Sequence, residues 1–179
     1  MTTARFAGGG IRFPIETERL VIRPLRLEDA ADLREDEAWI REKVDRFERD
    51  GGMSLWAAVE RESGRAVALA GLQWEEIDGR RELDLGCVVA SDVRMRGYGT
   101  EASQGVLRAA TEAGHRRITA MTLLHNDAAM HVLGKLGFER RGETTFDGRR
   151  YALFVRAAPG TRGGPPASAG AAAPRAARS

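Results

Sequence analysis

Cysteine is nearly absent from this chain of 179 residues, and the single thiol, Cys87, has no partner within it, which excludes an internal disulfide scaffold. The three histidines are scattered, and no cysteine or histidine cluster has zinc-site spacing. A metal-free core in a reducing compartment is the resulting expectation. No apolar run approaches the ~20 residues that span a bilayer, and Met1 to Gly10 lacks the apolar stretch of a signal peptide. Neither membrane insertion nor export is therefore expected, and the chain reads as cytoplasmic. Lysine is scarce as well, with only Lys43 and Lys135, and the Arg- and Ala-rich composition fits a GC-rich bacterial coding bias.

An excess of charge of one sign is also missing where it would matter. The formal net charge is +2, but residues 157–179 carry Arg162, Arg175 and Arg178 and no acid, so the remainder sums to −1. Within that remainder arginines alternate with acids, as in Arg34 to Arg49 and Glu139 to Glu143. That pattern is a solvated mixed surface and argues against a nucleic-acid partner.

What is present divides into three parts. Residues 157–179 hold four of the six prolines and almost no large apolar group, which predicts a disordered Ala/Gly/Pro/Arg-rich tail. Residues 1–10, ending in Gly8-Gly9-Gly10, are expected to be a flexible N-terminus. One domain remains, at 11–156.

Inside it, Arg19 to Arg26 reads as a first strand, with Pro24 ending its regular pairing. Glu28 to Asp50 carries Ala30, Leu33, Ile40, Val44 and Phe47 at helical spacing, interrupted by Glu37, and is one long helix or two short ones. Ser54 to Arg61, Arg65 to Gln73 and Arg81 to Ala90 form an antiparallel meander turned at Ser63-Gly64 and Asp78-Gly79. A helix over Thr100 to Ala113, a strand over Arg117 to Leu124 and a helix over Ala128 to Leu136 follow. Two last strands flank Asp147-Gly148, a type I′ dipeptide. The fold class is α/β, with a mixed, mostly antiparallel central sheet, flanking helices and one parallel pairing made by a helical crossover.

The most informative segment is Val88 to Ala102, where an apolar strand runs through Arg94-Met95-Arg96-Gly97-Tyr98-Gly99-Thr100 into a helix. Two glycines let backbone approach a ligand, and amides at a helix N-terminus favour a pyrophosphate. The spacing is neither that of a Walker A loop nor a full dinucleotide fingerprint, and alone the segment reads as a softened turn with two solvated arginines. Further on, Asn126 or Asp127 caps a helix, and Gly137 takes a left-handed C-terminal position so that Phe138 packs back on Leu133.

Taken together, these segments resemble the GNAT acetyltransferase superfamily. The chain from Glu18 to Tyr151 looks like the branch that acetylates N-terminal amines of ribosomal proteins and related small-molecule amines. The matching residues are Glu18 to Leu25 as opening strand, Leu27 to Ala30 after it, Leu55 to Val59, and Leu85 to Val89. Arg94 with Arg96 to Ala102 matches the acetyl-CoA loop, and Asn126, Val132-Leu133 and Lys135 to Phe138 the last motif.

By this resemblance the loop Arg94, Met95, Arg96, Gly97, Tyr98, Gly99, Thr100 cradles the coenzyme A pyrophosphate, mainly through backbone amides. Val88 and Val89 offer backbone hydrogen bonds to the pantetheine arm, with an amide near Val88 polarising the thioester carbonyl. Asn126 bonds the arm or orders its loop. The resemblance implies no metal, acetyl-CoA as co-substrate, and direct transfer in a ternary complex to an amine-bearing acceptor, a peptide or protein N-terminus or a small molecule. It places the proton-accepting carboxylate at Asp84, with Glu82 second. Both share one strand face and either serve the cleft or pair with nearby arginines such as Arg80 and Arg81.

Two departures stand out. Ala129 and Leu133 occupy positions where relatives carry a serine or a tyrosine, and neither can protonate a leaving thiolate. The family places two helices and a loop between its first two strands, whereas this chain offers a shortened first helical segment, Glu28 to Asp50. The acceptor site is then open, completed by another subunit in a homodimer, or degenerate, the last giving a catalytically impaired acetyl-CoA-binding module.

Overall fold

Alternation along Leu55-Trp56-Ala57-Ala58 sorts the molecule into two layers about one sheet, because Leu55 and Ala57 join one apolar cluster and Trp56 and Ala58 another. The computed structural model describes residues 10–157. Its strands are β1 (Ile15–Glu16), β2 (Leu20–Arg23), β3 (Leu55–Glu60), β4 (Ala66–Ile77), β5 (Arg80–Val89), β6 (Arg117–Leu123), β7 (Glu139–Phe146) and β8 (Arg149–Ala157). The helices are α1 (Asp29–Leu33), α2 (Glu37–Arg49), α3 (Tyr98–Glu112) and α4 (Asp127–Lys135). The strands form a single sheet in the order β1-β2-β3-β4-β5-β6-β8-β7. Every pairing is antiparallel except β5 with β6, which α3 connects as a crossover. The expected mixed, mostly antiparallel sheet with flanking helices is thus present.

α3 lays Ala102, Val106 and Ala110 on the face that carries Trp56, Leu83 and Leu85. Trp56 is fully buried and satisfies its indole N–H on the Gly52 carbonyl at 3.0 Å. On the opposite face α1 and α2 bring Ala30, Leu33 and Ile40 onto Leu55, Ala57 and Leu69.

Several boundaries differ from the sequence reading for identifiable reasons. The first strand stops at Arg23 because Pro24 has no N–H to continue the ladder, and the two-residue β1 pairs with it from the other side. Glu28 to Asp50 is two helices: Arg34 leaves α1 in the left-handed conformation (φ 57°), and Asp36 caps α2 by accepting from the amides of Ala38 and Trp39. Both helices expected between the first strands of the resemblance are therefore present, α1 at only five residues. β4 continues past Gln73 to Ile77, its polar end paired in unbroken register with the start of β5 and its Trp74 ring covered by the Arg81 guanidinium at 4.7 Å. Asp147 and Gly148 both have positive φ (46° and 71°), as a type I′ hairpin requires. β8 ends one residue past the expected domain limit, and the expected N-terminal and C-terminal flexible segments, but for residues 10 and 157, lie outside the described residues. No helix among the described residues is long and apolar enough to cross a membrane.

Candidate active site

The centre of the sheet forks. β5 and β6 share one register pair, Asp84 with Thr119. Beyond it β5 continues to Val89 on β4 alone, and β6 continues to Leu123 on β8 alone. A gap therefore opens toward the C-terminal ends of the two parallel strands, the usual place for a ligand where parallel strands end.

Which backbone groups face that gap follows from strand periodicity. The Ala90 N–H donates to Val67 O at 3.0 Å, and no bulge interrupts the β4–β5 register, so Val88 directs its N–H and C=O to Leu69 of β4. The intervening Cys87 and Val89 turn theirs to the gap. Val89 O accordingly accepts from Arg94 Nε at 3.3 Å rather than from β4. Of the two valines expected to offer backbone groups to a coenzyme arm, Val89 is thus the one whose N–H and C=O face the gap, while those of Val88 are directed to β4.

Past Val89 a 3₁₀ turn, Ser91–Val93, leads into the loop before α3. Met95 stands at φ 64°, almost fully exposed, and Gly97 at φ 83° is the N-cap, with no side chain capping the first turn of α3. The amides of Tyr98, Gly99 and Thr100 begin a 15-residue helix whose positive dipole end is open to an anion. A Cβ at Gly99 would stand 3.0 Å from Val89 Cγ2 and 3.5 Å from Cys87 Sγ, so glycine lets the helix start lie close against β5 without displacing the Val89 side chain. These features fit a diphosphate held by backbone donors.

The loop is braced from outside. Arg19, on the turn before β2, donates from Nη1 to Arg96 O at 3.0 Å, binds Glu101 through Nε at 2.7 Å, and lies 4.6 Å from the centre of the Tyr98 ring. Glu101 also accepts from Thr17 Oγ1 at 2.6 Å and from the Arg19 amide at 2.7 Å. Burial opposes ionisation of Glu101, but these donors outweigh it and hold its carboxyl below the usual range. The Tyr98 side chain points into the core, its hydroxyl donating to Glu60, which leaves only its amide for the loop.

The two candidate carboxylates part company. Glu82 is engaged by Arg117, whose Nε and Nη2 both approach its oxygens at 3.0 Å. Asp84 is 7% exposed and has no arginine partner among the described residues; its bond is from Thr119 Oγ1 to Oδ1 at 2.8 Å. Burial, opposed by Thr119 and reinforced by Glu75 and Glu82, pushes the Asp84 carboxyl up to about 7. Gln73 stands opposite Asp84 on β4, and Arg46 of α2 ties Gln73 (3.2 Å) to Glu75 (2.9 Å). Of the two readings left open, pairing with an arginine holds for Glu82, with Arg117 in place of Arg80 or Arg81.

Of the other expected residues, Asn126 accepts from Ala129 N at 3.1 Å and caps α4, the local role also read from its sequence. Leu133 is buried in the core. Cys87 lies against the start of α3, its Sγ 3.7 Å from Gly99 O, and burial of the thiol, opposed by Ser103, pushes it up to about 11. Sequence reasoning missed Thr119, whose signal was a hydroxyl inside an otherwise apolar strand, and the brace made by Arg19 and Thr17.

A forked sheet, a glycine-opened helix start beside it and a buried carboxyl at the fork agree with the family comparison. The acetyltransferase (GNAT) domain family matches residues 31–139. This chain belongs to the GNAT acetyltransferase family. Solved structures share the GNAT fold at low identity. One from Bordetella pertussis, described as a GNAT-family acetyltransferase, is 21% identical, with 79% of this chain and 98% of that one covered and a TM-score of 0.67. One from Vibrio cholerae, described as a ribosomal-protein-serine acetyltransferase, is 17% identical (81% and 97% covered, TM-score 0.68). Mycobacterium smegmatis RimJ, in complex with CoA-disulfide, is 21% identical (78% and 82% covered, TM-score 0.62).

Proposed function

We propose that this GNAT protein moves the acetyl group of acetyl-CoA to a primary amine by direct attack in a ternary complex. The observation that carries the reading is Asp84, a buried carboxyl without a cationic partner, at the one point where β5 and β6 still pair. Acetyl-CoA supplies the thioester. The amides of Gly97 to Thr100 hold its diphosphate, and the Val89 N–H points to where the carbonyl oxygen gains charge during attack.

Asp84 takes the proton from the attacking nitrogen. A carboxyl near 7 is well placed for a donor whose pKa is near ~8, as an α-amine has, and poorly placed for a lysine amine near ~10.4. An N-terminal α-amine of a peptide or protein, or a weakly basic small amine, is therefore the acceptor class. The likeness to structures described as ribosomal-protein acetyltransferases supports the same class. Water or the thiolate itself manages the leaving-group proton, since the thiolate of a group with pKa near ~8.5 departs tolerably.

Release of free thiol from acetyl-CoA, measured over a panel of α-amine peptides, polyamines and lysine peptides, tests the reading. Turnover on α-amines is expected; turnover confined to lysine side chains, or on none of the panel, contradicts it.

A further inference from the structure

Thr119 is the buried partner of Asp84, and its hydroxyl has two acceptors within reach: Asp84 Oδ1 at 2.8 Å and Leu83 O at 3.3 Å. It is 1% exposed, so water does not compete for it. We propose that Thr119 is a positioning residue that satisfies Asp84 in both protonation states, donating to the carboxylate and turning to the Leu83 carbonyl when the carboxyl is protonated. The inference rests on reading Asp84 as the proton acceptor.

The proton accounting is closed. A threonine hydroxyl has one proton and two lone pairs. With Asp84 ionised, the Thr119 proton lies on Oδ1. When the amine nitrogen bonds to the acetyl carbon, its proton passes to the Asp84 carboxylate; the new carboxyl O–H then donates to Thr119 Oγ1, whose own proton rotates to Leu83 O. No buried donor is orphaned at either stage, which matters because an unmatched buried donor is costly. The register pair Asp84 with Thr119 fixes both side chains on one face of the sheet, so the geometry is set by the backbone.

The remaining groups about Asp84 do not offer this service. From β4 it faces Gln73 and Glu75, the former held by Arg46 of α2 and the latter ion-paired with it. Along β5 it faces Glu82, which Arg117 of β6 engages. Among the described residues, Thr119 makes the one side-chain hydrogen bond to Asp84.

The test is a carboxyl carbon-13 titration of Asp84, assigned with Asp84→Asn, in the wild type, Thr119→Val and Thr119→Ser, with the pH profile of kcat/KM beside it. Thr119→Val is expected to raise the Asp84 midpoint by about one pH unit, because a charge-assisted donor is lost, and to move the acidic limb of the rate profile with it. Thr119→Ser is expected to stay within a few tenths of the wild type. A Thr119→Val midpoint that coincides with the wild type, or a Thr119→Ser midpoint that moves equally far, overturns the proposal. If the midpoints move as expected while Asp84→Asn keeps full turnover, the hydroxyl's hold on Asp84 stands and the reading of Asp84 as base falls.

Discussion

Arg19 and Glu101, 82 residues apart in sequence, meet twice at 2.7 Å, once through the backbone amide of Arg19 and once through its guanidinium Nε. The pair joins the turn before β2 to the first turn of α3, and Nη1 of the same arginine holds the Arg96 carbonyl. The loop before α3 is thereby fastened to the turn before β2, which suits the proposed role of its backbone donors. Arg19→Ala is expected to weaken coenzyme A binding about tenfold in calorimetric titration. The guanidinium is partly exposed, so the melting temperature should change little.

The glycines of that loop do different jobs, and substitutions should separate them. Gly97 sits at φ 83°, where an L side chain is strained, so Gly97→Ala should cost roughly 1 kcal/mol in denaturant unfolding. Gly99 has ordinary φ but no room, with Val89 Cγ2 3.0 Å from any added Cβ. Gly99→Val should therefore push the start of α3 off β5 and reduce coenzyme A affinity by at least about tenfold.

Asp78 in the β4–β5 turn accepts from Thr144 Oγ1 of β7 at 2.7 Å, although β5, β6 and β8 lie between their strands in the sheet. Register places Thr144 on the same face as Tyr151, Leu123 and Thr119, hence on the face of Asp84. That bond ties the two hairpins together on the face of Asp84, where the proposed mechanism brings the amine. Thr144→Val should cost about 1 kcal/mol of stability and change the KM of the acceptor while leaving that of acetyl-CoA in place.

The raised carboxyl of Asp84 is also a statement about stability. Its native value of about 7 lies above its ordinary 3.8, so the folded state holds a proton that the unfolded chain has released across that interval. Stability from this group is complete below about pH 4 and is lost as pH rises to about 7. Asp84→Asn removes the titration, so its melting temperature should match the wild type near pH 4 and exceed it at pH 8, by an amount equivalent to at most about 4 kcal/mol.

Much of the fold was legible because its signals are local. Alternation, the Asp78-Gly79 and Asp147-Gly148 turns, and Gly97 with Gly99 before an amphipathic stretch each act within a few residues. The two-helix break at Arg34 to Asp36 was harder to see, since Asp36 as a cap and Glu37 as an interruption of the apolar stripe look alike in sequence. The site was legible by type more than by partner. Glu82 and Asp84 were visible as two carboxylates on one face, but Arg117 and Thr119, which ion-pair the first and hydrogen-bond the second in the interior, come from a strand about 35 residues away. Which of Val88 and Val89 turns its amide away from β4 was hidden for the same reason, because only the pairing with β4 decides which amides are free.

The central claim is that Asp84, and not its neighbour Glu82, takes the proton from the amine. Single-turnover acetyl transfer to an α-amine peptide at saturating acetyl-CoA, compared between Asp84→Asn and Glu82→Gln at pH 7.5, tests it most directly. The account predicts a loss of at least about 100-fold for Asp84→Asn with coenzyme A affinity unchanged, and a change within a few-fold for Glu82→Gln. Equal losses in the two variants, or an Asp84→Asn rate within a few-fold of the wild type, would contradict it.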